Sequence, residues 1–80
     1  MIEFGNVMQR VKAIIMLHSH KKKILDKDIA EALELSAPYF AVIKKRDKIP
    51  YEAIAYFCKK YHISMNWILM AQKPTTLNTP

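Results

Sequence analysis

The chain has 80 residues, of which 51% are hydrophobic and 25% are charged, and it contains one glycine and one cysteine. This length is enough for one small domain and excludes two separate cores, while the hydrophobic content excludes a chain that is disordered throughout. The single cysteine, Cys58, cannot form an internal disulfide, so nothing requires an oxidising compartment and we expect a cytoplasmic protein. No basic stretch leads into a long apolar run, and we therefore expect neither export nor a membrane anchor.

The formal net charge is +6, and the basic residues are concentrated in two blocks. The first block is Lys21–Lys23, and the second comprises Lys44, Lys45, Arg46 and Lys48. One such block is most often only a solvated surface. Two of them on one small basic domain indicate nucleic acid as a candidate partner.

The periodicity of apolar residues predicts a first amphipathic helix from Phe4 to about Leu17, followed by a basic loop over residues 18–25. A short second helix is predicted from Asp26 to about Glu34. Ser36 is a suitable N-cap for a third helix from Ala37 to about Arg46, with Pro38 in its first turn, where the missing N–H is harmless. The inward residues of these two helices are Ile29, Ala30, Leu33, Phe40 and Ile43.

Asp47 can end the third helix because aspartate tolerates the left-handed conformation. Pro50 is predicted at the first position of a fourth helix that runs to about Tyr61, and Ser64 is predicted to cap a short fifth helix that Pro74 ends. The sequence thus predicts an all-α fold, a compact five-helix bundle over residues 1–73, with a flexible tail over residues 74–80. Four of the five methionines are interpreted as core residues: Met8, Met16, Met65 and Met70.

The segment from Asp26 to Ile43 combines a short helix, a turn of about three residues and a second helix with a serine cap. Further likeness to a known family is carried by the stretches DIAEAL at 28–33, LS at 35–36, KKRDKIPYEAI at 44–54, FC at 57–58 and ISMNWIL at 63–69. With these residues the chain resembles the phage-repressor-type, lambda-repressor-like helix-turn-helix DNA-binding domain family over about residues 7–73. The most specific part is the Lys-Lys-Arg-x-x-Ile-Pro-Tyr-Glu run followed by Ile-Ser-x-x-Trp.

The resemblance implies sequence-selective binding of double-stranded DNA by a small repressor-type transcriptional regulator, with the third helix in the major groove. Carried over by position, the groove-facing residues are Ala37, Pro38, Ala41 and Val42, with Lys45 further along. Because most of these are apolar, direct contact is limited to thymine methyl groups, and phosphate contacts and DNA shape become the larger contributions. The full set of candidate DNA-binding residues is Lys27, Ser36, Ala37, Pro38, Tyr39, Ala41, Val42, Lys44, Lys45, Arg46 and Lys48.

Two residues depart from the pattern of that family. Glu34 occupies a turn position where the family usually has glycine, and a positive φ there would destabilise the fold by roughly 1 kcal/mol. Asp26 occupies a position where related repressors often have a glutamine near the DNA, and we expect Lys27 to offset its repulsion from phosphate. For Tyr39, contact with DNA and packing against the first helix are both open.

Other chemistry finds little support in the sequence. His18 and His20, and Cys58 and His62, have spacings that can bind a metal, but a loop pair and a core thiol are the simpler interpretations, so we expect no metal site and no cofactor. No catalytic triad, paired carboxylates or glycine-rich phosphate loop is found, and we expect no enzyme.

The competing hypothesis is a protein-interaction module, such as a partner-binding or inhibitor protein, that keeps the fold without recognising DNA sequence. The apolar face of the third helix favours this alternative, and the basic blocks oppose it. We also expect a weak homodimer through the last helix, because a short tail cannot cover an apolar surface fully. The candidate residues for that contact are Met65, Trp67, Ile68 and Met70.

Overall fold

The computed structural model describes residues 1–76, and their regular structure consists of five α-helices. These are α1 (Phe4–His18), α2 (Asp26–Ala32), α3 (Ala37–Lys45), α4 (Tyr51–Tyr61) and α5 (Met65–Met70). The predicted all-α fold is therefore confirmed. Within the described range, every helix falls short of the length and apolar character needed to cross a bilayer.

Helix α2 ends at Ala32, two residues before the predicted end, and two prolines have other roles than those predicted. Pro50 lies immediately before α4 rather than at its first helical position, with a ψ of 76° that is not helical. Helix α5 ends at Met70, before Pro74, because Ala71 adopts a left-handed backbone with a φ of 55°. The terminator of α5 is therefore a local backbone reversal and not the proline.

Three helices end in the same way, although none has glycine at the reversal. Glu34, Asp47 and His62 follow α2, α3 and α4, with φ values of 57°, 54° and 56°. In each case the next residue donates its N–H to a carbonyl five residues earlier, which closes the last helical turn. These bonds are Leu35 to Ala30 at 2.8 Å, Lys48 to Ile43 at 2.9 Å and Ile63 to Cys58 at 2.9 Å.

The core is formed by the inner faces of all five helices. The predicted inward residues of α2 and α3 are buried, and α1 contributes Phe4, Val7, Met8, Val11 and Ile14. The links between helices add Ile24, Ile49 and Ile63, which are also buried and which the helical pattern did not predict. Met16 and Met70, predicted to be core residues, are instead exposed, because no described segment packs over these outer positions of α1 and α5.

Long-range hydrogen bonds hold α1 to the rest of the domain. The N–H of Phe4, at the start of α1, donates to Asp47 Oδ1 at 3.1 Å, so the residue that ends α3 also caps α1. Near the middle of α1, Arg10 Nε donates to the carbonyl of Ile68 at 2.6 Å, and its Nη2 donates to that of Leu69 at 3.1 Å. The α3–α4 link and α5 are therefore both fixed against one helix.

The segment that follows α5 returns to the domain. The N–H of Ser64 donates to the carbonyl of Thr75 at 2.8 Å, and Ile63 and Thr76 form an isolated antiparallel bridge. The tail predicted from Pro74 is thus attached at its beginning by backbone hydrogen bonds. Leu77 and the rest of that tail lie outside the described residues.

Candidate nucleic-acid interface

The first turn of α2 is organised by Asp28. Its carboxylate accepts a hydrogen bond from the N–H of Leu25 at 2.9 Å and pairs with Lys21 Nζ at 2.7 Å. The hydrogen bond from Lys21, followed by that from Leu25, holds the pKa of Asp28 below its usual range, and the same contact raises the pKa of Lys21. One lysine of the first basic block therefore has a structural partner.

The turn between α2 and α3 places the start of α3 as predicted. Ser36 Oγ accepts a hydrogen bond from the N–H of Tyr39 at 3.3 Å, which confirms the serine cap. Pro38 lies in the first turn of α3, where N–H groups have no acceptor within the helix, so its missing N–H breaks no helical hydrogen bond. The turn itself depends on Glu34, whose positive φ confirms the geometry for which the resemblance predicts glycine.

Helix α3 has two distinct faces. Phe40 and Ile43 are buried, and the ring of Phe40 packs against Phe4 with the ring centroids 5.6 Å apart. On the opposite side all of the candidate DNA-binding residues of α3 are exposed, including Val42 with 45% of its surface accessible. We call the surface formed by Ala37, Pro38, Ala41, Val42 and Lys45 the outer face of α3.

A cleft of about 520 Å³ runs between α2 and the outer face of α3. Small or aromatic side chains and charged side chains both line it. The lining residues are Asp26, Lys27, Ala30, Ala37, Phe40, Ala41, Lys44 and Lys45. The fold therefore brings Lys27, from α2, to the same surface as the predicted residues of α3.

Asp26 pairs with α3 across this cleft. Its Oδ2 atom lies 2.5 Å from Lys44 Nζ, and both side chains are more than half exposed. Asp26 thus pairs with a lysine 18 positions further along the chain and not with the adjacent Lys27, which lines the same cleft. No local sequence signal indicates this contact.

Tyr39 does not line the cleft beside α2. It is 47% exposed and lines a second cleft of about 460 Å³, between the α2–α3 turn and α4. Tyr51 and Tyr56 line the same cleft and are also exposed, and its charged lining residues are Glu34 and Glu52. We call this surface the tyrosine cleft.

Arg46 and Lys48 are exposed at the α3–α4 link and line neither cleft. Their backbone is nevertheless well defined, because the N–H of Arg46 donates to Val42 at 3.0 Å and the N–H of Lys48 donates to Ile43 at 2.9 Å. With Asp47 held on α1, the end of the second basic block is presented from a fixed loop.

The residues predicted for a homodimer have unequal access to solvent. Ile68 is fully buried, since α5 packs this side chain against the core, and it cannot form a surface contact as predicted. Met65 and Trp67 are half-buried, and Met70 is exposed. Of the four predicted contact residues, three therefore remain at the surface of α5.

His18, predicted to be a loop residue, is instead the last residue of α1, whereas His20 lies in the loop and Cys58 in the core as predicted. The ring of His18 packs at a tilt against that of Tyr61 with centroids 4.7 Å apart, and burial raises the pKa of the Cys58 thiol to about 11. Among residues 1–76, no three histidine, cysteine or acidic side chains converge on a position where they would hold a metal ion.

Comparison of this chain with models of known protein families, with curated proteins and with solved structures finds no match.

Proposed function

We propose that this chain binds double-stranded DNA sequence-selectively as a small repressor-type regulator, and that its fold is of the lambda-repressor-like helix-turn-helix class. The observation that carries the proposal is the outer face of α3, which is exposed along its length and bordered by lysines on two helices. The major groove of B-DNA, about 12 Å wide, admits one α-helix. The residue resemblance described above supports the same placement of α3.

The side chains of the outer face allow α3 to approach the DNA bases closely, but they can recognise few features of those bases. Ala37 and Ala41 have short side chains, so the backbone of α3 can lie near the base edges. Val42 offers methyl groups to thymine C5-methyl groups, the apolar contact that distinguishes A·T from G·C pairs in the major groove. Because none of these side chains forms two hydrogen bonds to a base, most of the affinity comes from phosphate contacts.

Cations surround the outer face at the positions where the DNA backbone would pass. Lys27 stands on the α2 side of the cleft, Lys45 on the α3 side, and Arg46 and Lys48 on the α3–α4 link. Each phosphate neutralised by such a side chain releases condensed counterions, so binding weakens steeply as salt rises.

The proposal is tested by binding of the full chain to a random-sequence duplex over a series of salt concentrations. Lys45→Ala and Arg46→Ala should each lower the slope of log affinity against log salt by roughly 0.9 and should weaken all sequences alike. Lys22→Ala is the matched control, because Lys22 is exposed in the other basic block and should leave the slope unchanged. If Lys45→Ala and Arg46→Ala behave like Lys22→Ala, α3 does not lie in the groove.

The tyrosine cleft favours a second candidate function, a protein-interaction module. Exposed tyrosines are enriched in protein interfaces, and Tyr39, Tyr51 and Tyr56 surround one concave surface. A module of this kind would show almost no binding to the random duplex even at the lowest salt. Steep, salt-dependent binding by the wild-type chain would exclude it as the main function.

We also propose that the chain forms a weak dimer through Met65, Trp67 and Met70 and that DNA strengthens this dimer. A dimer would place two copies of α3 on half-sites about one helical turn apart. Sedimentation of the free protein and of the complex tests this. A complex of one chain with one duplex on every bound sequence would refute it.

A further inference from the structure

Among residues 1–76, Asp26 is the one acidic residue that lines the cleft beside the outer face of α3. Its partner Lys44 belongs to the second basic block, and the two side chains meet at 2.5 Å across the cleft. An ion pair between side chains that are 58% and 54% exposed contributes little to folding stability. The start of α2 is moreover already capped by Asp28, so α2 does not depend on this pair.

The pair affects the electrostatics of the cleft surface more than it affects folding stability. Lys27, Lys44 and Lys45 line the cleft together with the carboxylate of Asp26, and that carboxylate is bound to Lys44. A phosphate group that approaches Lys44 must share the ammonium group with the carboxylate or displace it, and in either case it remains close to the negative charge of Asp26. Lys44 is therefore less available to phosphate than its exposure suggests.

We propose that Asp26 is an internal competitor for phosphate, which occupies Lys44 and lowers the affinity of the chain for any duplex by about one phosphate contact. This inference rests on the proposed function, and it identifies Asp26 as the residue that limits the electrostatic contribution to DNA affinity. Since phosphate contacts carry no sequence information, Asp26 lowers the sequence-independent part of binding and leaves contacts from the outer face of α3 untouched.

Asp26→Asn tests the proposal, because it removes the charge and keeps the shape of the side chain. The slope of log affinity against log salt should become steeper by roughly 0.9. Equivalently, the affinity ratio of Asp26→Asn to wild type should be about 3.5-fold larger at about 50 mM salt than at about 200 mM. With Lys44→Ala in the background, the same substitution should no longer steepen the slope.

Glu31→Gln is the matched control. It makes the same change in net charge on the same helix, but Glu31 is exposed beside Lys60 and Tyr61, in a different cleft. We expect its salt slope to equal that of the wild type. Thermal melts establish that both variants are folded, and equal slopes for Asp26→Asn and Glu31→Gln would overturn the proposal.

Elution from immobilised heparin separates this inference from the proposed function. Heparin is a polyanion without base pairs, so it reports the availability of Lys44 whether or not the chain binds DNA. Asp26→Asn should elute at higher salt than Glu31→Gln, and co-elution of the two variants would refute the competitor role. Failure of the wild-type chain to bind any duplex would refute the proposed function instead, and the order of elution would still decide the role of Asp26.

Discussion

Replacing Glu34 with glycine measures the backbone strain in the turn that joins α2 to α3. With a φ of 57°, Glu34 lies in the left-handed region, where a residue with a Cβ is less stable by roughly 1–2 kcal/mol. Its side chain is exposed and, within residues 1–76, takes part in neither of the two ion pairs. Glycine relieves the strain, but it is also more flexible in the unfolded chain. The entropy that it loses on folding reduces the gain in stability by roughly 0.5–1 kcal/mol.

The net expectation is that Glu34→Gly stabilises the domain by about 0.5–1 kcal/mol. In a domain of this size that corresponds to a rise in Tm of about 2–8 °C, which a thermal melt followed by circular dichroism resolves. Urea unfolding should show a higher midpoint with an unchanged m-value.

Asp47→Gly is the matched comparison, because Asp47 has nearly the same backbone, with a φ of 54°. Its carboxylate, however, accepts the hydrogen bond from the N–H of Phe4 and caps α1. Losing a cap destabilises by about 0.5–2 kcal/mol, so the gain from glycine should be cancelled or reversed. The reasoning is refuted if Glu34→Gly lowers Tm or if Asp47→Gly raises Tm as much as Glu34→Gly does.

Phe40→Ala should destabilise the domain by roughly 3–5 kcal/mol, because Phe40 is buried against Phe4, and a fully stable variant in urea unfolding would contradict the assignment of the inner face of α3. The lowered pKa of Asp28 means that its pairing with Lys21 stabilises the fold fully above the unfolded value of about 3.8 and is lost as pH falls through the lower folded pKa. The stability difference between wild type and Asp28→Asn should therefore shrink in acid, and a difference that is constant with pH would exclude this linkage. Cys58, with burial raising its pKa to about 11, should react with iodoacetamide far more slowly in the native state than in urea, and equal rates would show that the thiol is accessible.

Much of the fold was predictable because its signals are local. The serine caps at Ser36 and Ser64 and the left-handed end at Asp47 depend on a few neighbouring residues, and all three are confirmed. The spacing of Phe40 and Ile43 likewise identified the buried face of α3, and therefore its exposed outer face. Helix positions and faces follow from patterns within one or two turns.

The features that were missed depend on parts of the chain that are distant in sequence. Nothing near Asp47 indicates that it caps α1, and nothing near Asp26 selects Lys44 instead of the adjacent Lys27 as its partner. Ile24 is buried from a link where no periodicity exists to reveal an inner face. Such contacts follow from how the helices pack together, which the helical pattern alone does not specify.

Whether the outer face of α3 recognises base pairs is decided by selecting bound duplexes from a random pool with the wild-type chain and with Val42→Ser. Val42 is exposed on that face, and both valine and serine are uncharged, so Val42→Ser changes groove contacts without changing the net charge. We predict an enriched site for the wild type and a changed preference at one base pair for Val42→Ser, chiefly A·T against G·C, of about 1 kcal/mol or less. An unenriched pool, or an identical selected site for both proteins, would contradict recognition of sequence by α3.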